Sequence, residues 1–111
     1  MLRRLRAHSL WTELDAAQRW HEVPFSVVEG GRPENGIIDL LYRVGGDYRI
    51  AEFKTDRLGT EGDLRAHIRQ EGYDEQVRRY LRAVRLQLGV EAEASWVFLN
   101  VGNQVVVTPA P

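Results

Sequence analysis

The residues with the clearest chemical potential are two carboxylates and a lysine, Asp39, Glu52 and Lys54. They flank Gly45-Gly46, a dipeptide typical of two-residue hairpin turns that need positive φ. Counting outwards from that turn puts Asp39 opposite Glu52. Because strand side chains alternate between faces, Asp39, Glu52 and Lys54 are predicted to share one face of the sheet. Carboxylates directly opposite one another repel, so we expect a cation between them or a shared proton.

The other residues of this hairpin predict how it packs. The face of the acids also carries Ile37, Leu41 and Ile50. The opposite face carries Ile38, Leu40 and Tyr42, and is predicted to be mostly core. A carboxylate pair in such partly apolar surroundings has a raised pKa unless a cation is present, which is the usual physics of a metal site.

Lys54 is the only lysine among 15 basic residues, and the other 14 are arginines. An arginine stays protonated, whereas a lysine can have its pKa lowered and carries a compact charge. Because perturbed groups concentrate at functional sites, the chemistry favours a functional lysine beside the two acids. Chance is the alternative, since a single lysine must fall somewhere.

Four short motifs follow one another between residues 22 and 80. They are Glu22-Val23-Pro24-Phe25, Gly36-Ile37-Ile38-Asp39, Glu52-Phe53-Lys54-Thr55-Asp56, and the segment Tyr73 to Tyr80, which contains Gln76-x-x-x-Tyr80. In this order they resemble the PD-(D/E)XK nuclease superfamily, and its RecB-type branch in particular, found at the ends of helicase–nucleases that process DNA breaks. The ordered set is much more specific than the Asp…Glu-x-Lys pattern alone.

The resemblance implies a fold and a reaction. The fold would be α/β, a restriction-endonuclease-like core with a mixed β-sheet flanked by helices. The reaction would be DNA phosphodiester hydrolysis in repair or recombination, with Asp39, Glu52 and the Phe53 carbonyl binding Mg²⁺ or Mn²⁺. Lys54 would position or help deprotonate the attacking water. The resemblance also points to Glu22, Gln76 and Tyr80 as supporting residues.

A long helix is predicted over residues 67 to 88 from an apolar stripe at helical spacing. The stripe comprises Tyr73, Val77, Tyr80, Leu81, Val84 and Leu88. Gln76 and Tyr80 face the same way, so they either pack at the core boundary or orient a substrate strand or Lys54. The outward side carries Arg78, Arg79, Arg82 and Arg85. This row is either a solvated face or a contact to the DNA backbone.

The rest of the chain is predicted to fold around these parts. We expect a helix over residues 2–18, where His8 is more often structural than a ligand. We expect strands over residues 21–29, 94–101 and 104–108, with a hairpin turn at Gly102-Asn103. The polar segment 56–66 is either a mobile flap beside the site or a connector.

Composition bounds the class of protein. With 111 residues, 43% hydrophobic and 28% charged, the chain is expected to form one globular domain over residues 1–111. No apolar run approaches the ~20 residues that span a bilayer, so no membrane role is expected. The absence of cysteine fits a cytoplasmic location. A net charge of −1 gives no global field toward DNA, so DNA contact needs local clusters, metal ions or a partner.

The sequence departs from the family pattern in one respect. The resemblance implies a further metal-binding histidine on a helix upstream of the Glu22 motif, and only His8 could replace it here. We therefore expect a minimal stand-alone form, a fragment of a helicase–nuclease or a degenerate copy. We also expect weak activity and self-association through Leu10, Trp11, Leu14 and Trp20. The alternatives are a non-catalytic DNA-binding or assembly module, docking for instance on a helicase, and a small acidic metal-binding domain.

Overall fold

A computed structural model of the protein describes residues 17–110, with the side chain of Glu61 left aside. Within this range five strands and two helices follow in the order βββααββ, so the predicted α/β class is confirmed. The strands are β1 (Gln18–Glu29), β2 (Arg32–Val44), β3 (Asp47–Lys54), β4 (Ala92–Val101) and β5 (Gln104–Pro109). The helices are α1 (Leu64–Glu71) and α2 (Tyr73–Leu88), preceded by a 3₁₀ turn (Glu61–Asp63).

The strands form one mixed sheet in the order β1-β2-β3-β4-β5. Neighbouring strands are antiparallel except β3 and β4, which are parallel. Parallel neighbours require a crossover connection, and here the crossover contains both described helices. They pack on one face of the sheet, and this places the first residues of α2 above the end of β3.

The main core lies between this face and the helices. It joins the helix residues Leu64, Ile68, Val77, Tyr80, Ala83 and Val84 to strand residues that include Phe25, Ile50, Trp96 and Phe98. Most of the buried side chains of α2 belong to the apolar stripe that was predicted for this helix. A smaller cluster on the opposite face of the sheet contains Leu40, Tyr42, Ala51 and Val97.

The long helix predicted over residues 67–88 is wrong in one respect, because the structure has two helices there. Gly72 separates them, with a φ of 71° in the left-handed region that glycine adopts readily. α1 also begins at Leu64, within the segment predicted to be a loop. Earlier in that segment, Leu58 is tied to the sheet by a bridge with Val101. The turn at Gly72 also brings different side chains near Lys54 from those expected for one continuous helix.

The alternation predicted for β2 is broken at Asp39. Ile38 and Leu41 both lie in the main core although they are three residues apart, and Ile37 is 57% exposed. Ile38 therefore does not share a face with Leu40, and Ile37 does not surround the acids. The β1–β2 register omits one pair at this level, Glu22 with Asp39, and Glu22 has a φ of 49°. This left-handed residue interrupts regular pairing beside Asp39.

The remaining elements agree with expectation apart from their bounds. β1 begins at Gln18 rather than residue 21, and β4 at Ala92 rather than residue 94. The turn at Gly102-Asn103 is confirmed, since Val101 pairs with Gln104 across it. The expected helix over residues 2–18, including His8, lies outside the described residues except at its last two positions. Within residues 17–110 the helices are too short or too polar to cross a membrane.

Candidate active site

The two acids lie where the β2–β3 ladder ends. Backbone pairing runs from Val44–Asp47 to Leu40–Ala51, in the register counted from the Gly-Gly turn. Beyond it, side chains replace the ladder. The Asp39 amide donates to Glu52 Oε1 at 3.0 Å, and the Phe53 amide donates to Asp39 Oδ2 at 3.0 Å. Each carboxylate thus bonds the strand that carries the other.

Glu52 has the more unusual environment of the two. Its side chain lies on the face of the sheet that the helices cover, and the residue is only 2% exposed. Burial raises the pKa of Glu52 to about 8, and the neighbouring charge of Asp39 adds to the rise. The Asp39 amide and Lys54 favour the ionised form but do not offset the burial. Without a cation, Glu52 is therefore expected to keep its proton at neutral pH.

Lys54 is oriented by the first turn of α2. Its Nζ donates to Gln76 Oε1 at 2.8 Å and lies 3.9 Å from the centre of the Tyr73 ring. Lys54 and Glu52 are two residues apart on β3, so they face the same side of the sheet. Gln76 was predicted either to pack at the core boundary or to orient a substrate strand or Lys54. The observed hydrogen bond agrees with the orientation of Lys54.

Tyr80 joins the site to the core. Its ring packs edge-on against Phe25 with 5.5 Å between centroids, and its hydroxyl is hydrogen-bonded to Gln76. Burial raises the pKa of Tyr80, and the charge of Glu52 adds to it. Gly36 provides the space for this packing, because a Cβ there would lie 2.6 Å from the Phe25 ring. The four motifs of the sequence therefore meet in three dimensions.

Glu22 is less closely associated with the site. It lies on β1 between the pairs His21–Leu40 and Val23–Ile38, opposite Asp39. Its side chain is exposed. Over residues 17–110, no three His, Asp or Glu side chains gather closely enough to hold a metal ion by themselves. The two acids would need backbone or solvent oxygens as further ligands.

A second polar cluster, absent from the predicted site, adjoins Lys54 on its other side. The Tyr73 hydroxyl donates to Asp56 Oδ2 at 2.5 Å, and His67 Nε2 lies 2.6 Å from the same oxygen. Burial opposes ionisation of Asp56, but the bonds from Tyr73 and His67 outweigh it and lower the pKa of Asp56. Burial and the bond to Asp56 raise the pKa of Tyr73. Asp56 and Tyr73 lie within the sequence motifs, whereas no local spacing pointed to His67.

The arginine row on α2 is largely engaged with acids. Arg82 lies 3.2 Å from Glu34 and 3.1 Å from Glu29, on the hairpin of β1 and β2. Arg79 lies 3.9 Å from Glu34. Arg78 contacts Glu75 on its own helix, and Arg85 is exposed. Part of the row thus ties α2 to the sheet.

The fold is an α/β domain with a five-stranded mixed sheet and two described helices, compatible with a restriction-endonuclease-like core. Comparison with known proteins gives a partial, RecB-like relationship. The subunit RecB of the RecBCD enzyme from Chlamydia pneumoniae is 35% identical over an alignment of 72 residues, which covers 60% of this chain. The aligned part is 7% of that relative's length. No family model matches the chain.

Proposed function

We propose that the protein is a metal-dependent DNA nuclease of the RecB type, acting in DNA repair or recombination. The observation that carries this proposal is a pair of adjacent carboxylates, buried Glu52 and half-buried Asp39, with Lys54 on the same side of β3 as Glu52. The partial relationship to RecB supports it. Over residues 17–110, neither acid has a cationic side chain within ion-pair distance, so both carboxylates can be ionised together only with a counter-ion.

The donor set fits Mg²⁺ or Mn²⁺. Both cations prefer hard oxygen ligands, and two adjacent carboxylates provide them. The raised pKa of Glu52 reflects its burial, beside Asp39, without a cation. The Phe53 carbonyl, adjacent in sequence, is the third protein ligand that we propose. When bound, such a cation lowers the pKa of a water molecule and neutralises charge on the phosphate.

The reaction is hydrolysis of a phosphodiester. The oxygen of water bonds to phosphorus, one ester P–O bond breaks, water gives up a proton and the leaving oxygen takes one up. Lys54 positions that water or helps to deprotonate it, and stabilises the charge that develops on the phosphate. The contacts with Gln76 and Tyr73 support this role, since they fix the ammonium without neutralising it.

The partners that we propose are DNA and, through the partial likeness to a RecBCD subunit, a helicase subunit or domain. Arg85, with Arg78 and Arg79, is the part of the arginine row best suited to the DNA backbone, because Arg82 bridges two acids. A homodimer stays a prediction. Trp20, one of its predicted contact residues, is 42% exposed beside an apolar groove.

The test is a nuclease assay on linear and circular DNA with Mg²⁺, with Mn²⁺ and with EDTA. We expect cleavage with either cation and none with EDTA. The cations should also raise the melting temperature, because binding acts on the folded state only. Asp39→Asn should abolish cleavage and most of that stabilisation.

Asp47→Asn is the matched control, because Asp47 is an exposed acid at the hairpin turn. It should behave as the wild type. An unchanged melting temperature up to high millimolar Mn²⁺, together with no cleavage, would refute the proposal. Cation-dependent stabilisation with DNA binding but without cleavage would instead favour the non-catalytic module.

A further inference from the structure

The Lys54 ammonium is held at two points, and neither is a carboxylate. One is Gln76 Oε1 at 2.8 Å, and the other is the face of the Tyr73 ring at 3.9 Å. An ammonium over an aromatic face is attracted by the ring quadrupole without losing its charge. The two contacts come from opposite ends of the first helical turn of α2, so together they restrict the direction of the side chain.

The Tyr73 ring is itself fixed. Its hydroxyl donates to Asp56 Oδ2 at 2.5 Å, and His67 Nε2 lies 2.6 Å from that oxygen. The His67 ring meets the Tyr73 ring edge-on at 5.9 Å, and Phe98 of β4 lies at 6.4 Å on a tilted plane. The ring is therefore held at its hydroxyl and along its sides, by residues from three parts of the chain.

Asp56 connects this support to the strand that carries the lysine. It lies two residues after Lys54, just beyond the end of β3. His67 comes from α1 and Tyr73 from the start of α2, on either side of the turn at Gly72. The turn brings both side chains to one carboxylate oxygen. A rigid support of this kind is what a charged group needs in order to act at a defined position.

We propose that Tyr73 is a positioning residue for Lys54, and that Asp56 and His67 keep its ring in place. The proposal rests on the proposed nuclease function, because it assigns a task to the lysine of that site. Its structural part, the contact between ring and ammonium, is independent of activity. In this scheme Tyr73 does not touch the reacting atoms, and it acts through Lys54.

The first experiment uses the fact that the chain has a single lysine. Protein labelled with ¹³C-lysine gives one Cε–Hε NMR signal, from Lys54. The Tyr73 ring should displace its protons upfield. Tyr73→Phe, which keeps the ring, should retain the displacement, whereas Tyr73→Leu should abolish it. Tyr48→Leu is the control, since Tyr48 stacks on Trp20 away from Lys54.

The second experiment measures cleavage of linear DNA with Mg²⁺. We expect Tyr73→Leu to lower kcat about tenfold, less than the loss of a reacting group, because the lysine remains but is misplaced. KM for DNA and the stabilisation by Mn²⁺ should not change. Tyr73→Phe should recover most of kcat, and Tyr48→Leu should match the wild type. A general loss of stability would not produce this selective change in kcat.

The outcomes separate this inference from the proposed function. A wild type that cleaves DNA, with unchanged kcat or an unchanged lysine signal in Tyr73→Leu, would overturn the inference and leave the nuclease intact. A wild type that does not cleave, but whose lysine signal moves in Tyr73→Leu, would refute the nuclease and support the contact. If Tyr73→Leu does not fold, Asp56→Ala removes the anchor of the ring and should shift the same signal.

Discussion

Two carboxylates, Glu52 and Asp56, flank Lys54 at equal distances along the chain, and their surroundings shift their pKa values in opposite directions. Glu52 is buried beside another acid, and burial raises its pKa to about 8. Asp56 receives Tyr73 and His67 on one oxygen, and these bonds lower its pKa. The same chemical group is therefore proton-bearing on one side of the lysine and ionised on the other.

The difference shows which of the two carboxylates has its ionised form stabilised within the protein and which does not. Asp56 has its donors within the protein, so it needs nothing further and can serve as a support. Glu52 has one backbone donor and a repelling neighbour, so its ionised form is complete only with an added cation. Pairs of groups with pKa values pushed apart in this way mark the division of roles in many active sites.

The sharpest test of this division compares Glu52→Gln with Asp56→Asn. We expect Glu52→Gln to reduce cleavage by about a thousandfold, because it removes a proposed ligand and its charge. Asp56→Asn should cost only about tenfold, as is usual for a group that supports another. Rates with Mg²⁺ on one linear DNA would measure both. Equal losses would show that the two carboxylates do not have separate roles.

Lys54 lies between the two carboxylates in the sequence. Lys54→Arg tests whether its function requires a lysine or only a positive charge. Arginine keeps the charge but changes its shape and cannot give up its proton. We expect cleavage to fall about a hundredfold, while the stabilisation by Mn²⁺ remains. The combination matters, because it separates catalysis from cation binding. Wild-type rates in this variant would refute the proposed catalytic role of Lys54.

The hairpin could be predicted from sequence because its register is local. A Gly-Gly turn fixes the count, and all five pairs from Val44–Asp47 to Leu40–Ala51 follow from it. The end of the ladder at Asp39 could not be predicted in this way. There side-chain oxygens compete with backbone oxygens for the same amides, and periodicity says nothing about that competition.

The support of Lys54 was missed for a different reason. The helix was predicted to begin at residue 67, before Gly72, although its apolar stripe starts at Tyr73, because a glycine inside a helix pattern is often tolerated. The left-handed turn at Gly72 instead sends His67 and Tyr73 toward Asp56, which lies 11 and 17 residues before them. Such a cluster depends on a crossover geometry that the local sequence does not contain. Gln76 was easier, because it lies one turn from Tyr80 on a recognisable motif.

The last expected effect is the pH dependence of folding stability without a cation, and here the two carboxylates should differ in sign. Below about 4.5, the ordinary pKa of Glu52, both the folded and the unfolded chain carry its proton. As pH rises toward 8, the unfolded chain ionises while the folded chain keeps the proton, so Glu52 lowers stability until about pH 8. Asp56 acts oppositely. Its contribution is present above its ordinary pKa of 3.8 and is lost as pH falls below it.

Urea unfolding in EDTA between pH 3 and 9 would measure both contributions. Glu52→Gln should flatten the decline between pH 4.5 and 8, where each pKa unit of difference corresponds to about 1.4 kcal/mol in the free energy of unfolding. Asp56→Asn should leave that decline intact and weaken only the loss of stability at acidic pH. Asp47→Asn, at the exposed hairpin turn, is the control for removing a charge. A wild-type decline that persists unchanged in Glu52→Gln would mean that Glu52 is not the strained carboxylate, and the contrast with Asp56 would disappear.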